Sequence, residues 1–110
     1  MSTLKDGTAL YEVERRARYG ERPDFRITEL QIGPTQEIPW HTHHQAQDTF
    51  YVMEGTIRLS LREPDEDQQL GRGDIFAVPA GRPHRVSNGG NSSATFLVIQ
   101  DGNYDYVPQG

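Results

Sequence analysis

The four histidines of this chain are spaced as metal ligands often are. His41 and His43 are two residues apart, His44 follows directly, and His84 comes much later, after a turn rich in proline and glycine. Side chains at i and i+2 of an extended chain share a face, so His41 and His43 point the same way and His44 points the opposite way. Two imidazoles at this spacing hold one divalent ion when further ligands converge from elsewhere in the fold.

A carboxylate follows these histidines closely in the sequence. Asp48 shares one strand face with Phe50 and Val52. A carboxylate at the head of an apolar stripe has to be paired, hydrogen-bonded or bound to a metal, because burying it alone is costly. His84 begins a second stripe of this kind with Val86. We therefore expect both side chains to point inward.

The elements that position these residues are predicted to be strands. Short alternating runs separated by Gly- and Pro-rich turns follow one another from residue 25 onward, and they indicate an all-β sandwich or barrel of seven or eight strands. The runs before and after Gly55 are predicted to pair as an antiparallel hairpin around Glu54-Gly55. Residues 64–67 are predicted to form a charged surface loop, and residues 75–78 a short buried strand. Six of these strands can be placed from their alternation, at residues 25–32, 48–54, 56–62, 75–78, 83–88 and 94–100.

The first 24 residues fit two patterns. Apolar residues recur at helical spacing between residues 9 and 17, and side chains between residues 11 and 19 also alternate like those of an edge strand. We interpret residues 1–24 as an edge strand or short helix that packs on a barrel formed by residues 25–110. Arg15, Arg16 and Arg18 are interpreted as a solvated face rather than a binding patch.

Length and charge exclude several classes of function. The 110 residues suffice for one domain. Residues 1–26 hold six of the 11 basic and five of the 16 acidic groups. The rest of the chain therefore holds five basic and eleven acidic groups, a net charge of -6. We expect such a body to repel nucleic acid. No apolar run approaches the ~18 residues of a membrane span, no secretory signal is evident, and cysteine is absent, so a cytoplasmic location is expected.

Two segments together resemble the cupin superfamily. The segment His41-x-His43-x4-Asp48-x6-Gly55 resembles the first cupin motif, which has Glu where this chain has Asp48. The segment Gly73-x5-Pro79-x-Gly81-x2-His84-x3-Asn88 is similar to the second motif at every fixed position. The resemblance covers about residues 25–100. It implies a double-stranded antiparallel β-helix, the small jelly-roll barrel, and a homodimer that forms through the sheets.

The resemblance also implies a site for one divalent metal ion (Fe, Mn, Ni, Zn or Cu) inside the barrel. Carried over to this chain, the ligands are His41, His43, Asp48 and His84. Asp48 is one methylene shorter than Glu, so a site of three histidines and water is an alternative. Gln47 fits the looser spacing of some small cupins, but strand parity lets only one of Gln47 and Asp48 point inward. The six-residue count to Gly55 favours Asp48.

Three functions are compatible with this site. The first is a metal-dependent enzyme, a dioxygenase or an isomerase or lyase, acting on a small oxygen-rich molecule that chelates the ion. The second is a non-catalytic module that binds or senses a small molecule, and the third is a metal-free cupin whose histidines act as bases. No catalytic residue is assigned beyond the ligands, and Trp40 is predicted to pack against the barrel mouth. Surface or packing roles are favoured over pocket lining for Glu29, Gln31, Arg58 and Arg82.

Overall fold

A computed structural model of the protein describes residues 10–110, which form ten β-strands in two five-stranded sheets. Residues 1–9 of the predicted N-terminal segment lie outside the described residues. Within residues 10–110 no helix has the length and apolar character that crossing a membrane requires. The strands, in chain order, are β1 (Arg15–Arg22), β2 (Phe25–Ile32), β3 (Glu37–Thr42), β4 (Gln47–Glu54), β5 (Thr56–Leu61), β6 (Glu66–Gly71), β7 (Ile75–Val78), β8 (His84–Asn88), β9 (Ala94–Asp101) and β10 (Val107–Pro108).

The strands divide into a front sheet, ordered β1-β2-β9-β4-β7, and a back sheet, ordered β10-β3-β8-β5-β6. Every neighbouring pair in both sheets is antiparallel. Alternate side chains of both sheets meet between them, where the hydrophobic effect drives their burial. This arrangement confirms the predicted all-β jelly-roll fold. The fully buried centre of the core comprises Ile32, Phe50, Val52, Ile57, Leu59, Val86, Ala94 and Phe96.

The predicted hairpin around Glu54-Gly55 is wrong. Strand β4 pairs with β7 and β9 in the front sheet, whereas β5 pairs with β6 and β8 in the back sheet. Gly55 is the point where the chain crosses between the sheets. Its φ is +75°, and a Cβ there would lie 2.7 Å from the carbonyl oxygen of Ser93, the residue before β9. The apolar stripes on both sides of Gly55 face the same core, and this alternation does not distinguish a hairpin from a crossover.

Edge strands account for the other differences from the predicted elements. Glu66 and Asp67 belong to β6 rather than to a loop, because β6 is a polar edge strand in which Leu70 alone is buried. Strand β7, predicted to be buried, is also an edge, and its side chains alternate, so that Val78 is buried while Ile75 faces outward and is 63% exposed. In the N-terminal segment, β1 forms the other edge of the front sheet and pairs along its length with β2.

Candidate metal centre

Four titratable side chains from both sheets converge at one end of the molecule. His41 on β3 and His84 on β8 come from the back sheet, His43 follows the end of β3, and Asp48 lies on β4 of the front sheet. One potential ligand atom from each residue lies within 4.8 Å of all the others, and all four residues are buried. The structure therefore brings together all four residues that the sequence resemblance selects.

The pairing of β3 with β8 explains how the histidines meet. An irregularity between Ile38 and His41 shifts the register, so that His41 lies directly opposite His84. The two ring centroids are 4.3 Å apart. His43 continues on the same inward side, with its ring centroid 4.9 Å from that of His41. His44 points outward as alternation predicts, and its side chain is 61% exposed beside Asp105.

A backbone carbonyl fixes the orientation of each of the three inward histidines. The Nδ1–H of His41 donates to the carbonyl oxygen of Pro39 at 2.8 Å, and that of His84 donates to the carbonyl oxygen of Arg82 at 2.9 Å. The Nδ1–H of His43 donates to the carbonyl oxygen of Asp105. With Nδ1 so engaged, Nε2 is the atom that each ring offers to a ligand, which is the usual outer support of a metal-binding histidine.

Asp48, not Gln47, is the side chain that β4 turns inward. Asp48 is 2% exposed, and Gln47 is exposed and donates a long hydrogen bond to Thr49. The Oδ2 atom of Asp48 lies 2.8 Å from Nε2 of His43 and 3.1 Å from Nε2 of His84. The shorter carboxylate therefore reaches two of the histidines without a shift of the backbone.

Charge coupling within the cluster changes its protonation. Burial alone would raise the pKa of Asp48, but the adjacent His43 and His84 outweigh burial and hold this pKa well below its usual range. Burial would lower the pKa of His43, and the Asp48 carboxylate outweighs that effect and raises it. The pKa of His41 is well below its usual value because of burial and the neighbouring imidazoles. The cluster thus holds Asp48 as a carboxylate and His41 as a neutral base.

The residues of the cluster fit a divalent metal ion. The Oδ1 atom of Asp48 is buried and has no hydrogen-bond partner within residues 10–110, so one oxygen of a buried carboxylate is available to a ligand. Three imidazole Nε2 atoms and one carboxylate form a donor set that zinc, iron, nickel and copper accept in proteins. An ion in the centre would replace the proton that His43 shares with Asp48.

A small cavity adjoins the cluster. His41, His43 and Asp48 form part of its wall, and the volume open to the centre of a water molecule is about 50 Å³. Tyr106 also lines it: its ring stacks on His41 with centroids 4.5 Å apart, and its hydroxyl is buried without a hydrogen-bond partner among the described residues. Burial raises the pKa of Tyr106, which keeps this hydroxyl protonated. The sequence carried no signal for Tyr106, because it lies beyond the recognised motifs.

The predicted solvated face of Arg15, Arg16 and Arg18 is correct only for Arg15, whose side chain is 47% exposed. Arg16 and Arg18 line the cavity together with Arg26 of β2, instead of forming a solvated face. Arg15, the third residue of the predicted face, points to the opposite side of β1 and pairs with Glu29. Side-chain alternation explains the split, since residues 16 and 18 share the inner side of the edge strand.

The structure also shows where the other side chains lie for which the sequence suggested a surface or packing role. Trp40 does not pack against the barrel mouth: the register shift in β3 turns it to the outer side of the back sheet, where the guanidinium of Arg62 lies 3.8 Å from its ring centroid. The four residues for which surface or packing roles were favoured all have partners away from the cavity. These pairs are Glu29 with Tyr19, Gln31 with Glu14, Arg58 with Asp67 and Arg82 with Glu66.

Comparisons with known proteins agree with this geometry. A family model described as the cupin domain matches residues 28–100. The auxin-binding protein ABP19b of Prunus persica is 34% identical over 71 residues, which are 62% of this chain and 34% of that protein. Germin-like protein subfamily 2 member 1 of Arabidopsis thaliana is 30% identical over 75 residues, which are 66% of this chain and 34% of that protein. The matched region thus spans about a third of the length of these curated relatives.

A solved structure extends the likeness to most of the fold. The uncharacterised conserved protein with a double-stranded β-helix domain from Klebsiella pneumoniae has a TM-score of 0.75 and 26% identity to this chain. The superposition covers 87% of this chain and 84% of that one. The two sheets described above are therefore a known architecture.

Proposed function

The chain belongs to the cupin domain family, and on this basis we propose that it is a metal-dependent enzyme that acts on a small, oxygen-rich, chelating molecule. The reaction is of the dioxygenase type or of the isomerase or lyase type. The observation that carries the proposal is the convergence of three Nε2 atoms and the Asp48 carboxylate beside a cavity.

Each residue of the cluster has a defined part in this proposal. His41, His43, His84 and Asp48 would hold the ion, and the carbonyls that accept their Nδ1–H protons keep the rings aimed at it. A divalent ion so bound supplies Lewis-acid chemistry, which polarises a carbonyl or stabilises an enolate. The protonated hydroxyl of Tyr106 is placed to donate a hydrogen bond to a ligand oxygen in the cavity.

Metal analysis of protein purified without a histidine tag tests the first half of the proposal. We expect about one equivalent of a divalent transition metal per chain, and less than about a tenth of that in His41→Ala and His84→Ala, since each substitution removes a ligand. His44→Ala is the matched control, because it removes an exposed imidazole from the same segment and should retain the metal. Wild-type protein that takes up no metal would favour the metal-free cupin with histidine bases.

Turnover assays test the second half. Oxygen consumption over a panel of enols, catechols and hydroxy acids identifies a dioxygenase, and product analysis without oxygen identifies an isomerase or lyase. The names of some relatives support a second candidate, a non-catalytic binding module, since they are described as auxin-binding proteins. A protein that holds metal and binds a small molecule but turns over no member of the panel would favour this second function.

A homodimer remains a proposal. Tyr51 and Ile75 are register partners on β4 and β7, and both are exposed on the outer side of the front sheet together with Met53. An apolar patch at the edge of a sheet is a suitable contact for a second copy of the chain.

A further inference from the structure

The three inward histidines of the cluster differ in what orients their rings. The Nδ1–H of His41 and that of His84 each donate to a carbonyl oxygen two residues earlier in the chain. The acceptor for the Nδ1–H of His43 is instead the carbonyl oxygen of Asp105, which is 62 residues away in the sequence. Two of the rings are therefore oriented locally, whereas the third depends on where the C-terminal part of the chain lies.

His43 has little other support for the orientation of its ring. It lies in the loop of residues 43–46, between β3 and β4. Its backbone carbonyl accepts the N–H of Gly81 at 2.8 Å, which anchors the main chain but does not fix the rotation of the side chain. Its Nε2 atom lies 2.8 Å from Oδ2 of Asp48, and a bound ion would replace this contact. Among residues 10–110, the carbonyl of Asp105 thus provides the one hydrogen bond to the ring that an ion would leave in place.

The side chain of Asp105 fixes the position of this carbonyl. Its Oδ1 atom accepts the backbone N–H of His44 at 2.9 Å, and its Oδ2 atom lies 2.6 Å from Nδ1 of the same residue. Asp105 therefore contacts two successive residues, His43 through its main chain and His44 through its carboxylate. The ring of His44 is 61% exposed, so water competes for the ring contact more than for the bond to the backbone N–H.

The chain around Asp105 has little regular structure of its own. It lies between the end of β9 and β10, a strand of only two residues that pairs with β3. Gly102, in the same turn, has φ +119°, and a Cβ there would lie 3.0 Å from Cα of Ala46 in the 43–46 loop. The C-terminal turn and the loop that carries His43 are thus in direct contact. Asp105 lies beyond both cupin motifs, so neither motif accounts for it.

We propose that Asp105 is a positioning residue of the metal centre. Its carboxylate, bound to the backbone N–H of His44, holds its own carbonyl oxygen against Nδ1 of His43 and so keeps Nε2 of that ring aimed at the ion. Asp105 acts through His43 and is not itself a ligand of the ion. This inference rests on the proposed function for the presence of the ion, but the orientation of the His43 ring is a property of the metal-free protein as well.

Zinc affinity, measured by competition with a chelator, tests the inference in variants at this one position. Asp105→Ala removes the carboxylate and should lower zinc affinity about tenfold or more, as loss of an outer partner of a metal ligand does. Asp105→Asn accepts the N–H of His44 through its amide oxygen, so it should retain zinc affinity within about threefold. Asp105→Ser has a shorter side chain that still carries an oxygen. It should fall between these two variants, and it takes the place of Asp105→Ala if that variant does not fold.

Two control variants separate positioning from a general loss of stability. The carboxylate of Asp74 accepts the backbone N–H of Gly71 at 2.9 Å, so it closes the turn between β6 and β7 by the same kind of bond. We expect Asp74→Ala to lower the midpoint of urea denaturation as Asp105→Ala does, but to change zinc affinity less than about twofold. His44→Ala keeps the backbone N–H that Asp105 binds, and it should lower zinc affinity less than about threefold.

Nuclear magnetic resonance of the metal-free protein separates this inference from the proposed function. The Nδ1–H of His43 should exchange slowly with solvent in the wild type and in Asp105→Asn, and at least about tenfold faster in Asp105→Ala. The Nδ1–H signals of His41 and His84 should keep their exchange rates, because their acceptors are local. This pattern supports the positioning role even if the protein takes up no metal.

Three results would overturn the inference and leave the metal centre intact. The first is a zinc affinity of Asp105→Ala that equals that of the wild type or of Asp74→Ala. The second is faster exchange at all three histidines in Asp105→Ala, which would mean that Asp105 stabilises the fold as a whole. The third is a loss of zinc affinity in Asp105→Asn as large as in Asp105→Ala, because the charge of the carboxylate, and not its hydrogen bond, would then be what matters.

Discussion

His41 and His84 face each other across neighbouring strands of the back sheet, with ring centroids 4.3 Å apart, although they belong to different sequence motifs. The Nε2 atom of His84 lies 3.1 Å from a carboxylate oxygen of Asp48, which comes from the opposite sheet. The cluster thus joins the two layers of the fold at one end, and its integrity depends on the register of β3 against β8.

Tyr106→Phe separates the role of the hydroxyl from that of the ring. The ring stacks on His41, whereas the buried hydroxyl has no hydrogen-bond partner. We expect removal of the hydroxyl to leave the free energy of unfolding unchanged or to raise it by up to about 1 kcal/mol. The affinity for a chelating hydroxy acid that binds in the cavity, measured by calorimetry, should fall about three- to tenfold, because one donor is lost. A fall in stability of several kcal/mol with unchanged affinity would assign the hydroxyl a structural role.

Gly55→Ala should strongly destabilise the fold. The positive φ of Gly55 disfavours a side chain, and a Cβ would lie 2.7 Å from the Ser93 carbonyl oxygen and 2.9 Å from Cα of Ala94. We expect a loss of about 2–4 kcal/mol in urea denaturation. Gly20→Ala is the control, since a Cβ there would meet nothing within 4 Å, and its effect should stay within about 0.5 kcal/mol. Equal effects of the two substitutions would contradict the crossover at Gly55.

Arg82 supports the metal cluster from outside it. Its side chain donates to the carbonyl oxygens of Arg62 and Pro64 and to Glu66, while its own carbonyl accepts the Nδ1–H of His84. We expect Arg82→Gln to lower the free energy of unfolding by about 1 kcal/mol and to weaken zinc affinity severalfold. Unchanged zinc affinity in a destabilised variant would show that the corner holds the fold but does not orient His84.

The same contact predicts a pH dependence. Hydrogen bonds from Gln68 and Arg82 lower the pKa of Glu66 below its usual value of 4.5. A carboxyl whose folded pKa is depressed stabilises the fold above its unfolded pKa, and this contribution is lost as the pH falls through the folded pKa. NMR titration should therefore place the pKa of Glu66 below 4.5 in the wild type and closer to it in Arg82→Gln. An identical pKa in both proteins would mean that Arg82 does not contribute to the shift.

The apolar patch on the front sheet gives a test of the homodimer. Ile75→Glu places a charge in an exposed position of edge strand β7 without disturbing the core. We expect light scattering to report a dimer for the wild type and a shift towards monomer for Ile75→Glu. Arg58→Glu, on an exposed position of the back sheet, is the control. A monomeric wild type, or a dimer that Ile75→Glu leaves unchanged, would rule out this surface as the interface.

The sequence alone predicts the strands that have a continuous stripe of inward apolar side chains. It does not predict the edge strands or the connections between the two sheets. Strand β4 shows its apolar alternation plainly, whereas the charged residues at the start of the polar edge strand β6 are typical of a loop. The apolar stripes before and after Gly55 face the core in a hairpin and in a crossover alike. Which strands β4 and β5 pair with is therefore decided by β9 and β8, which lie far away in the chain.

The sequence likewise predicts one part of the candidate site and not the other. The two cupin motifs and strand parity lead to the cluster, including the choice of Asp48 over Gln47 as the inward side chain. The position of Arg16 and Arg26 in the cavity wall depends on how β1 pairs with β2, and local charge patterning contains no information about that pairing. The cytoplasmic location stays a prediction from the sequence.

Anomalous diffraction from a crystal soaked in zinc shows whether the buried His/Asp cluster holds a metal ion. We expect one strong peak inside the barrel, about 2.0–2.2 Å from Nε2 of His41, His43 and His84 and from a carboxylate oxygen of Asp48. A peak found only at the exposed pair His44 and Asp105, with none in the buried cluster, would contradict it.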